Sequence, residues 1–440
     1  MARKASLSGF PEWLPEERAI EKYFMSKLSE VFTLHGFSEI ETRAVEPISV
    51  IAQKGEIDKE IYTISRYQEQ GNSKKDPLAL HFDLTVPFAR YVKDNAPFLN
   101  FPFKRYQMQK VWRGERPQDG RQREFTQVDI DIINEETLPL TMDAQLLKTI
   151  IEALESLPLP GFVMRLNNRK ISEGFYQGLG IEDTAKVLQL IDKLDKIGTE
   201  KVKNLLLEAG ITVAQADKAL ALAEIREKSA KSAIAKIQTL GVKSALFDTG
   251  CQELSELIEL IDSDKIEVDF SIARGLDYYT GVVYETELIG HEDLGSICSG
   301  GRYDSLVNTG KKTYPGVGIS IGLSRLLSRL IGNDLVKMNR KHPAVVYVAL
   351  NNEEEHSKVA EVANKLRARG IASEEGSKAV KFGKQIKTAD KLGIPFVCFI
   401  RDDGSYQIKD IRSGSQEEID LNTWNPPKTD LQPTIITNFD

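Results

Sequence analysis

Cysteine is scarce in this chain: three residues, Cys251, Cys298 and Cys398, lie far apart among 440. That number and spacing exclude a disulfide framework and a thiolate metal site. The five histidines form neither HExxH nor any His/Cys cluster, so no metal-binding residues are expected. No run approaches the roughly 18 apolar residues that read as a membrane-spanning helix. The opening residues, MARKASLSGFPEW, are basic without an apolar core, so no secretory signal is expected. Two common nucleotide-binding loops are missing. No Gly-Lys-Ser/Thr of a P-loop occurs, and GVGISIGLSRL (316–326) lacks the GxGxxG spacing. An excess of positive charge is missing as well: the net charge of −7 argues against a nonspecific nucleic-acid binder, while leaving room for local basic surfaces. A reducing, cytoplasmic setting is the expectation.

What is there is ordinary in bulk, 41% hydrophobic and 28% charged, with length enough for two or three domains. The most informative stretch is 103–134, FKRYQMQKVWRGERPQDGRQREFTQVDIDIIN. Strand-like runs at 105–112 and 125–133 flank a polar turn with Pro117, Asp119 and Gly120, which reads as a β-hairpin with a long basic loop. Along the second strand Gln127, Asp129 and Asp131 share one face, and Val128, Ile130 and Ile132 the other. That polar face is expected to meet something other than core. Between Lys104 and Glu124 there are seven Lys/Arg (Lys104, Arg105, Lys110, Arg113, Arg116, Arg121, Arg123) against three acids. Such a hairpin suits a phosphorylated ligand beside a small polar partner.

Upstream, Ile20, Phe24, Leu28, Val31 and Phe32 recur at helical spacing, from Pro15 in the first turn to Gly36 as terminator. A strand-like FSEIETRAVEP follows and halts at Pro47. Residues 78–92 read as strand then helix, with Asp83–Thr85 at the junction. From 167 to 264 proline is absent and Ala, Leu, Lys and Glu dominate, which predicts a helical insert. β-like sequence then returns through RGLDYYTG (274–281), SGGRYDS and GVGISIGLSRL. In the first of these Tyr278 and Tyr279 point to opposite faces of a strand, so one can line a pocket. The glycine-rich run leads into a helix bearing Arg325. Residues 343–425 alternate strand, helix, helix, strand, which predicts a separate α/β domain with a partly parallel sheet. Lysines 378, 381, 384, 387 and 391 spiral around a helix there and form no single stripe. The tail from 426 is expected to be extended or poorly ordered.

Taken together these segments resemble the histidyl-tRNA synthetases, class II (class IIa) aminoacyl-tRNA synthetases, over nearly the whole chain. The helix and strand ending at Pro47 are similar to the family's motif 1, WRGERPQDGRQREFTQ to motif 2 and GVGISIGLSRL to motif 3. RGLDYYTG and SGGRYD match its two histidine signatures. The resemblance implies an α+β catalytic domain with an antiparallel sheet (1–166 and 265–332), interrupted by a helical insertion domain (167–264). A linker (333–342), an α/β anticodon-binding domain (343–425) and a tail (426–440) would follow. It implies a homodimer without membrane attachment that uses ATP with Mg²⁺, L-histidine and tRNA-His.

The resemblance also implies residue roles. Arg113 would bind the α-phosphate and the amino-acid carboxylate, Glu115 the adenine, Phe125 and Arg325 its two faces, and Arg121 the terminal phosphates. Asp83, Thr85 and Gln127 would hold the histidine backbone groups. Asp131 and Tyr279 would read the imidazole, with Tyr278 and Tyr303 close by. Arg274 would stand at the α-phosphate, partly replacing a metal, and Gln118 would reach the tRNA acceptor end. Arg113, Arg274 and Gln127 are thus the expected catalytic residues. Fixed arginines aimed at phosphoryl charge, and two anionic reactants held in line, account for the chemistry without an enzyme nucleophile. Two noncatalytic kinds of relative share this fold: regulators of ATP phosphoribosyltransferase and stress-sensor domains that bind uncharged tRNA. The regulators generally lack the anticodon-binding domain and lose catalytic arginines. Here Arg113, Arg274, Arg325 and the extra domain are present, and no kinase segment accompanies the chain.

Overall fold

The computed structural model describes residues 7–52, 60–67, 77–117, 120–273 and 279–439. Two compact units emerge, one comprising residues 24–329 with the segment before Trp13, the other residues 13–23 with 330–440. In chain order the first elements are α1 (Pro15–Leu34), β1 (Ser38–Glu39), β2 (Val45–Pro47), α2 (Ile48–Ile51), β3 (Thr63–Ile64), β4 (Leu78–Leu80) and α3 (Thr85–Asn95). The periodic apolar residues of α1, Ile20, Phe24, Leu28, Val31 and Phe32, are all buried. Each contributes about 1.5–3 kcal/mol by leaving water. Gly36, at φ +77°, ends the helix in a conformation that a side chain would resist.

The long strands β5 (Phe103–Trp112) and β6 (Glu124–Ile133) form the expected antiparallel hairpin, pairing from Phe103↔Ile133 to Trp112↔Glu124. After α4 (Leu140–Glu155) and β7 (Phe162–Asn168) the chain turns helical: α5 (Arg169–Gly178), α6 (Thr184–Ile191), α7 (Leu194–Ile197), α8 (Thr199–Glu208), α9 (Val213–Ala223), α10 (Ala230–Thr239) and α11 (Ala245–Ile261). Side-chain caps from Asn168, Asp183, Thr212, Ser229 and Ser244 set the starts of α5, α6, α9, α10 and α11. One two-residue strand, β8 (Arg226–Glu227), lies among these helices. β9 (Ile266–Asp269), β10 (Val282–Leu288), β11 (Cys298–Tyr303), β12 (Gly316–Ile321) and α12 (Leu323–Gly332) complete the unit.

Nine strands form one sheet in the order β1-β5-β6-β12-β11-β10-β7-β9-β8. From β5 to β7 every pairing is antiparallel, as the sequence suggests; β1–β5 and β7–β9 add parallel pairs toward the edges. The apolar face of β6, Val128, Ile130 and Ile132, is fully buried, and α4 packs against β6 and β12.

The second unit contains β13 (Val336–Met338), β14 (Val346–Val348), α13 (His356–Ala368), β15 (Ser373–Glu375), α14 (Phe382–Leu392), β16 (Phe396–Ile400), β17 (Tyr406–Asp410), β18 (Gln416–Ile419) and β19 (Ile435–Thr437). Its sheet runs β15-β14-β16-β17-β18, parallel across the first three strands and antiparallel beyond. β15 was not legible in the sequence, because Ser-Glu-Glu at a sheet edge carries neither alternation nor apolar content. Two further segments differ from expectation. The stretch read as linker supplies β13, and the tail supplies β19, which pair with each other from Val336↔Thr437 to Met338↔Ile435. Arg412 binds both Asp410 and Asp430, tying the segment before β19 to β17.

Candidate active site

β6 and β12 build the floor of the site, pairing through Gly318↔Asp131, Ser320↔Asp129 and Ile321↔Val128. The polar face of β6 is therefore buried in the sheet, with Gln127 7%, Asp129 2% and Asp131 2% exposed. It meets a cleft rather than open solvent. At the far end of the hairpin the chain is held in several ways. Thr126 N–H donates to Ser324 Oγ at 2.8 Å, and Gln122 Nε2 to Ser328 Oγ at 3.0 Å, which fastens β6 to α12. Trp112 N–H donates to His81 O at 3.1 Å and Arg113 Nε to Phe82 O at 3.0 Å. Those two bonds bring the β4–α3 junction, with Asp83 and Thr85, to the end of β5.

The larger cleft is lined by Arg113, Glu115, Arg121, Phe125, Gln127 and Arg325 with Ser299 and Ser320. Arg113 Cζ lies 5.2 Å from the Phe125 ring centroid. Glu115 stands between two cations, 3.9 Å from Arg113 and 3.7 Å from Arg121. Arg325, on the first turn of α12, donates to Leu294 O. Three guanidinium groups and one aromatic ring in the same cleft suit a planar ring carrying phosphates.

The smaller cleft is lined by Thr85, Asp129, Asp131, Tyr279, Ser299, Tyr303 and Ser320. Asp131 Oδ2 pairs with Arg105 Nη2 at 2.7 Å, and Asp131 Oδ1 accepts from Tyr303 Oη at 2.7 Å. Burial pushes the Asp131 carboxyl up, while Arg105 and the Tyr303 hydroxyl oppose that rise. For Asp129 burial dominates and Arg105 opposes it, leaving its carboxyl pushed up to about 7. Asp83 is buried at the start of α3, where Oδ1 accepts from Val86 N–H at 3.1 Å. It is close enough to add to the rise at Asp129. Ser299 and Ser320 line both clefts, so the two are contiguous.

The structure thus brings together Arg113, Glu115, Arg121, Phe125, Gln127 and Arg325 in one chamber, and Thr85, Asp131, Tyr279 and Tyr303 in the other. Arg274, Tyr278 and Gln118 lie outside the described residues. Tyr279 and Thr280 precede β10 rather than standing in a strand. Arg105, counted in the sequence among the cations that would meet an anionic ligand, is instead wholly buried, its guanidinium 4.2 Å from the Phe88 ring centroid. Its charge is spent on Asp131. Sequence reasoning passed over Asp129, Ser299 and Ser320 as site residues. Period-two spacing from Gln127 and Asp131 could have found Asp129. No local signal marks the serines, which matter only because β11 and β12 lie beside β6.

A mainly antiparallel sheet that holds a cationic, aromatic cleft against a small acidic one suits a phosphorylated ligand bound beside a small polar one. Comparison with known proteins narrows this. Residues 9–326 match the family model described as histidyl-tRNA synthetase, and residues 344–424 that of an anticodon binding domain. The chain is 52% identical to a histidine–tRNA ligase of Micrococcus luteus and 50% identical to one of Cutibacterium acnes, with 99% of this chain and 99% of each relative covered. A crystal structure of histidyl-tRNA synthetase from Nostoc superposes with a TM-score of 0.84 at 40% identity, covering 95% of this chain and 97% of that one. The chain belongs to the histidyl-tRNA synthetase family.

Proposed function

We propose that this chain is a histidine–tRNA ligase that activates L-histidine with ATP to histidyl-adenylate and pyrophosphate, then transfers histidine to the 3′ end of tRNA-His. The observation that carries this reading is the contiguity of the two clefts through Ser299 and Ser320. An adenylate, with a nucleotide at one end and an amino acid at the other, needs that layout.

In this reading the adenine stacks between Phe125 and Arg325, Glu115 accepts from its amino group, and Arg121 meets the terminal phosphates. Arg113, in the larger cleft, holds the α-phosphate and the histidine carboxylate together. Arg274, by its place in RGLDYY, adds a second cation at the α-phosphate. The carboxylate attacks the α-phosphorus in line with departing pyrophosphate. Charge grows on the phosphoryl oxygens, and fixed guanidinium groups lower the barrier without having to reorganise. Much of the remaining acceleration comes from holding two anions at attack distance. Asp83, Thr85 and Gln127 take the α-amino and carboxylate groups. Asp131 and Tyr279 take the ring nitrogens, with Tyr278 and Tyr303 beside them. A ligand lacking a ring N–H would forfeit its bond to the buried Asp131 carboxylate, a kind of loss that can give discrimination of about 10⁴.

Mg²⁺ belongs to this scheme as part of the Mg-ATP substrate. Among the described residues no group of three or more His, Cys, Asp and Glu could hold a metal ion. The nucleotide's own phosphates are the natural ligands.

Residues 1–166 and 265–332 act as the catalytic portion, 167–264 as an insertion, and 343–425 as the anticodon-binding portion, with 333–342 and 426–440 flanking it. Gln118 reaches the tRNA acceptor end. A homodimer built through the segment ending at Pro47, working in the cytoplasm, completes the reading. No helix among the described residues is long and apolar enough to cross a membrane.

The test is ATP–pyrophosphate exchange with each of the twenty amino acids in parallel. Exchange with histidine alone is the expected result. No exchange with any of them, from folded protein supplied with Mg²⁺, overturns the reading.

A further inference from the structure

Gln127 lines the larger cleft from β6, beside Ser320, which lines both clefts, and the two ends of its amide have different surroundings. Nε2 donates to Ser320 Oγ on β12 at 2.6 Å. Oε1 is buried with no hydrogen-bond partner. An acceptor left in that state is costly, so it is suited to a donor that arrives with the ligand.

Ser320 explains why the amide stands this way round. Its hydroxyl carries one proton, which goes to Asp129 Oδ1 at 2.5 Å. An ionised carboxylate can only accept. While Asp129 is charged, Ser320 must donate to it and has only lone pairs to offer Gln127. The amide NH₂ is thereby claimed, and the carbonyl oxygen is left without a protein partner. The order Gln127 to Ser320 to Asp129 thus follows from the chemistry of its last member.

We propose that Asp129, acting through Ser320, fixes the Gln127 amide with its oxygen toward the cleft and so creates the acceptor for the α-ammonium group of the amino-acid substrate. This rests on the reading of the smaller cleft as the histidine site. Asp129 is a positioning residue, and Gln127 is the group that touches substrate.

The charged groups that face Asp129 are Arg105 from β5, Asp131 on its own strand and Asp83 from the segment before α3. Arg105 favours the ionised form; burial, Asp131 and Asp83 oppose it, and the carboxyl titrates at about 7. Once protonated, Asp129 can donate to Ser320. The Ser320 proton is then free to meet Gln127, the amide turns over, and an NH₂ group faces the ammonium.

The experiment is calorimetric titration of the full chain with two probes, L-histidine and 3-(imidazol-4-yl)propanoate. The second has the same ring and carboxylate but no amino group. Wild type should bind histidine more tightly. Ser320→Ala should weaken histidine about tenfold and the desamino probe less than twofold, the loss of one hydrogen bond to a charged group. Ser320→Thr, which keeps the hydroxyl, should restore histidine affinity. Between about pH 6 and 7.5 the wild-type ratio of the two affinities, each first corrected for the separately titrated ring of its own probe because the ammonium lowers that of histidine, should rise with pH. In Asp129→Asn, which has no proton to lose, that ratio should be flat with pH. Far-UV circular dichroism serves as the folding control in each variant.

Equal losses for both probes in Ser320→Ala, or a wild-type pH dependence retained in Asp129→Asn, would overturn the relay while leaving the histidine site intact. Equal affinity of the wild type for both probes would remove the reading on which the relay rests, and the relay with it.

Discussion

Gly318 and Asp131 face each other across the β6–β12 ladder so closely that a Cβ on residue 318 would lie 2.0 Å from Asp131 Oδ1. No side chain can occupy 318 unless the carboxylate moves. Gly318→Ala should push Asp131 off Tyr303 and Arg105, raising the KM for histidine about tenfold or more, on the order of one lost charged hydrogen bond. The KM for ATP should stay within about twofold. Steady-state exchange kinetics with each substrate varied in turn will show whether the damage is confined to the smaller cleft.

The Arg105–Asp131 pair is buried at both ends, with side-chain exposures of 0% and 4%. Arg105→Met would strand the carboxylate in the core and cost about 3–5 kcal/mol. Adding Asp131→Leu should recover much of that stability without recovering histidine activation. Urea unfolding of the single and double variants measures the first effect, and exchange activity the second. A double variant as unstable as the single one would show that the ion pair is not what Arg105 contributes.

Phe125 carries Arg113 5.2 Å from its ring centroid in the larger cleft. Phe125→Ala removes that contact and the stacking surface proposed for adenine, together about 1–3 kcal/mol. The expected outcome is a KM for ATP raised about tenfold, with histidine affinity nearly unchanged. An unaltered KM for ATP would move the nucleotide to another part of the cleft.

Stability should carry the signature of Asp129. Its carboxyl titrates at about 7 in the folded chain against an ordinary 3.8. Across that window the native state keeps a proton that the unfolded chain has lost. The contribution to stability is therefore fully present below about pH 4 and is lost as pH rises to about 7. Asp129→Asn should flatten this part of the dependence. Urea midpoints taken from pH 4 to 8 will locate the slope, and an Asn variant that tracks the wild type would assign it to another group.

The hairpin was legible because its two strands and polar turn follow rules that act within a few residues. The alternation in QVDIDII was informative too, since period two fixes which side chains share a face. What could not be read was the third dimension. Arg105 looks like one more surface cation until β6 sets Asp131 opposite it and Phe88 closes over it. Ser299 and Ser320 are unremarkable in sequence and become site residues only through the pairing of β11, β12 and β6. The strands β15, β13 and β19 escaped notice for a related reason. Edge and ladder strands of three residues are stabilised by partners distant in sequence, and their own composition says little.

The pairing of β13 with β19 has a mechanical consequence. The stretch from Val336 to Thr437 begins and ends in one antiparallel ladder, with its first and last residues opposite each other. Tension that draws those ends apart acts first on the bonds from Asn438 to Leu335 and Asp334 and then opens the rungs one by one from Val336↔Thr437 toward Met338↔Ile435. The ladder unzips at low force, and slack is released before the five-stranded sheet behind it bears any load.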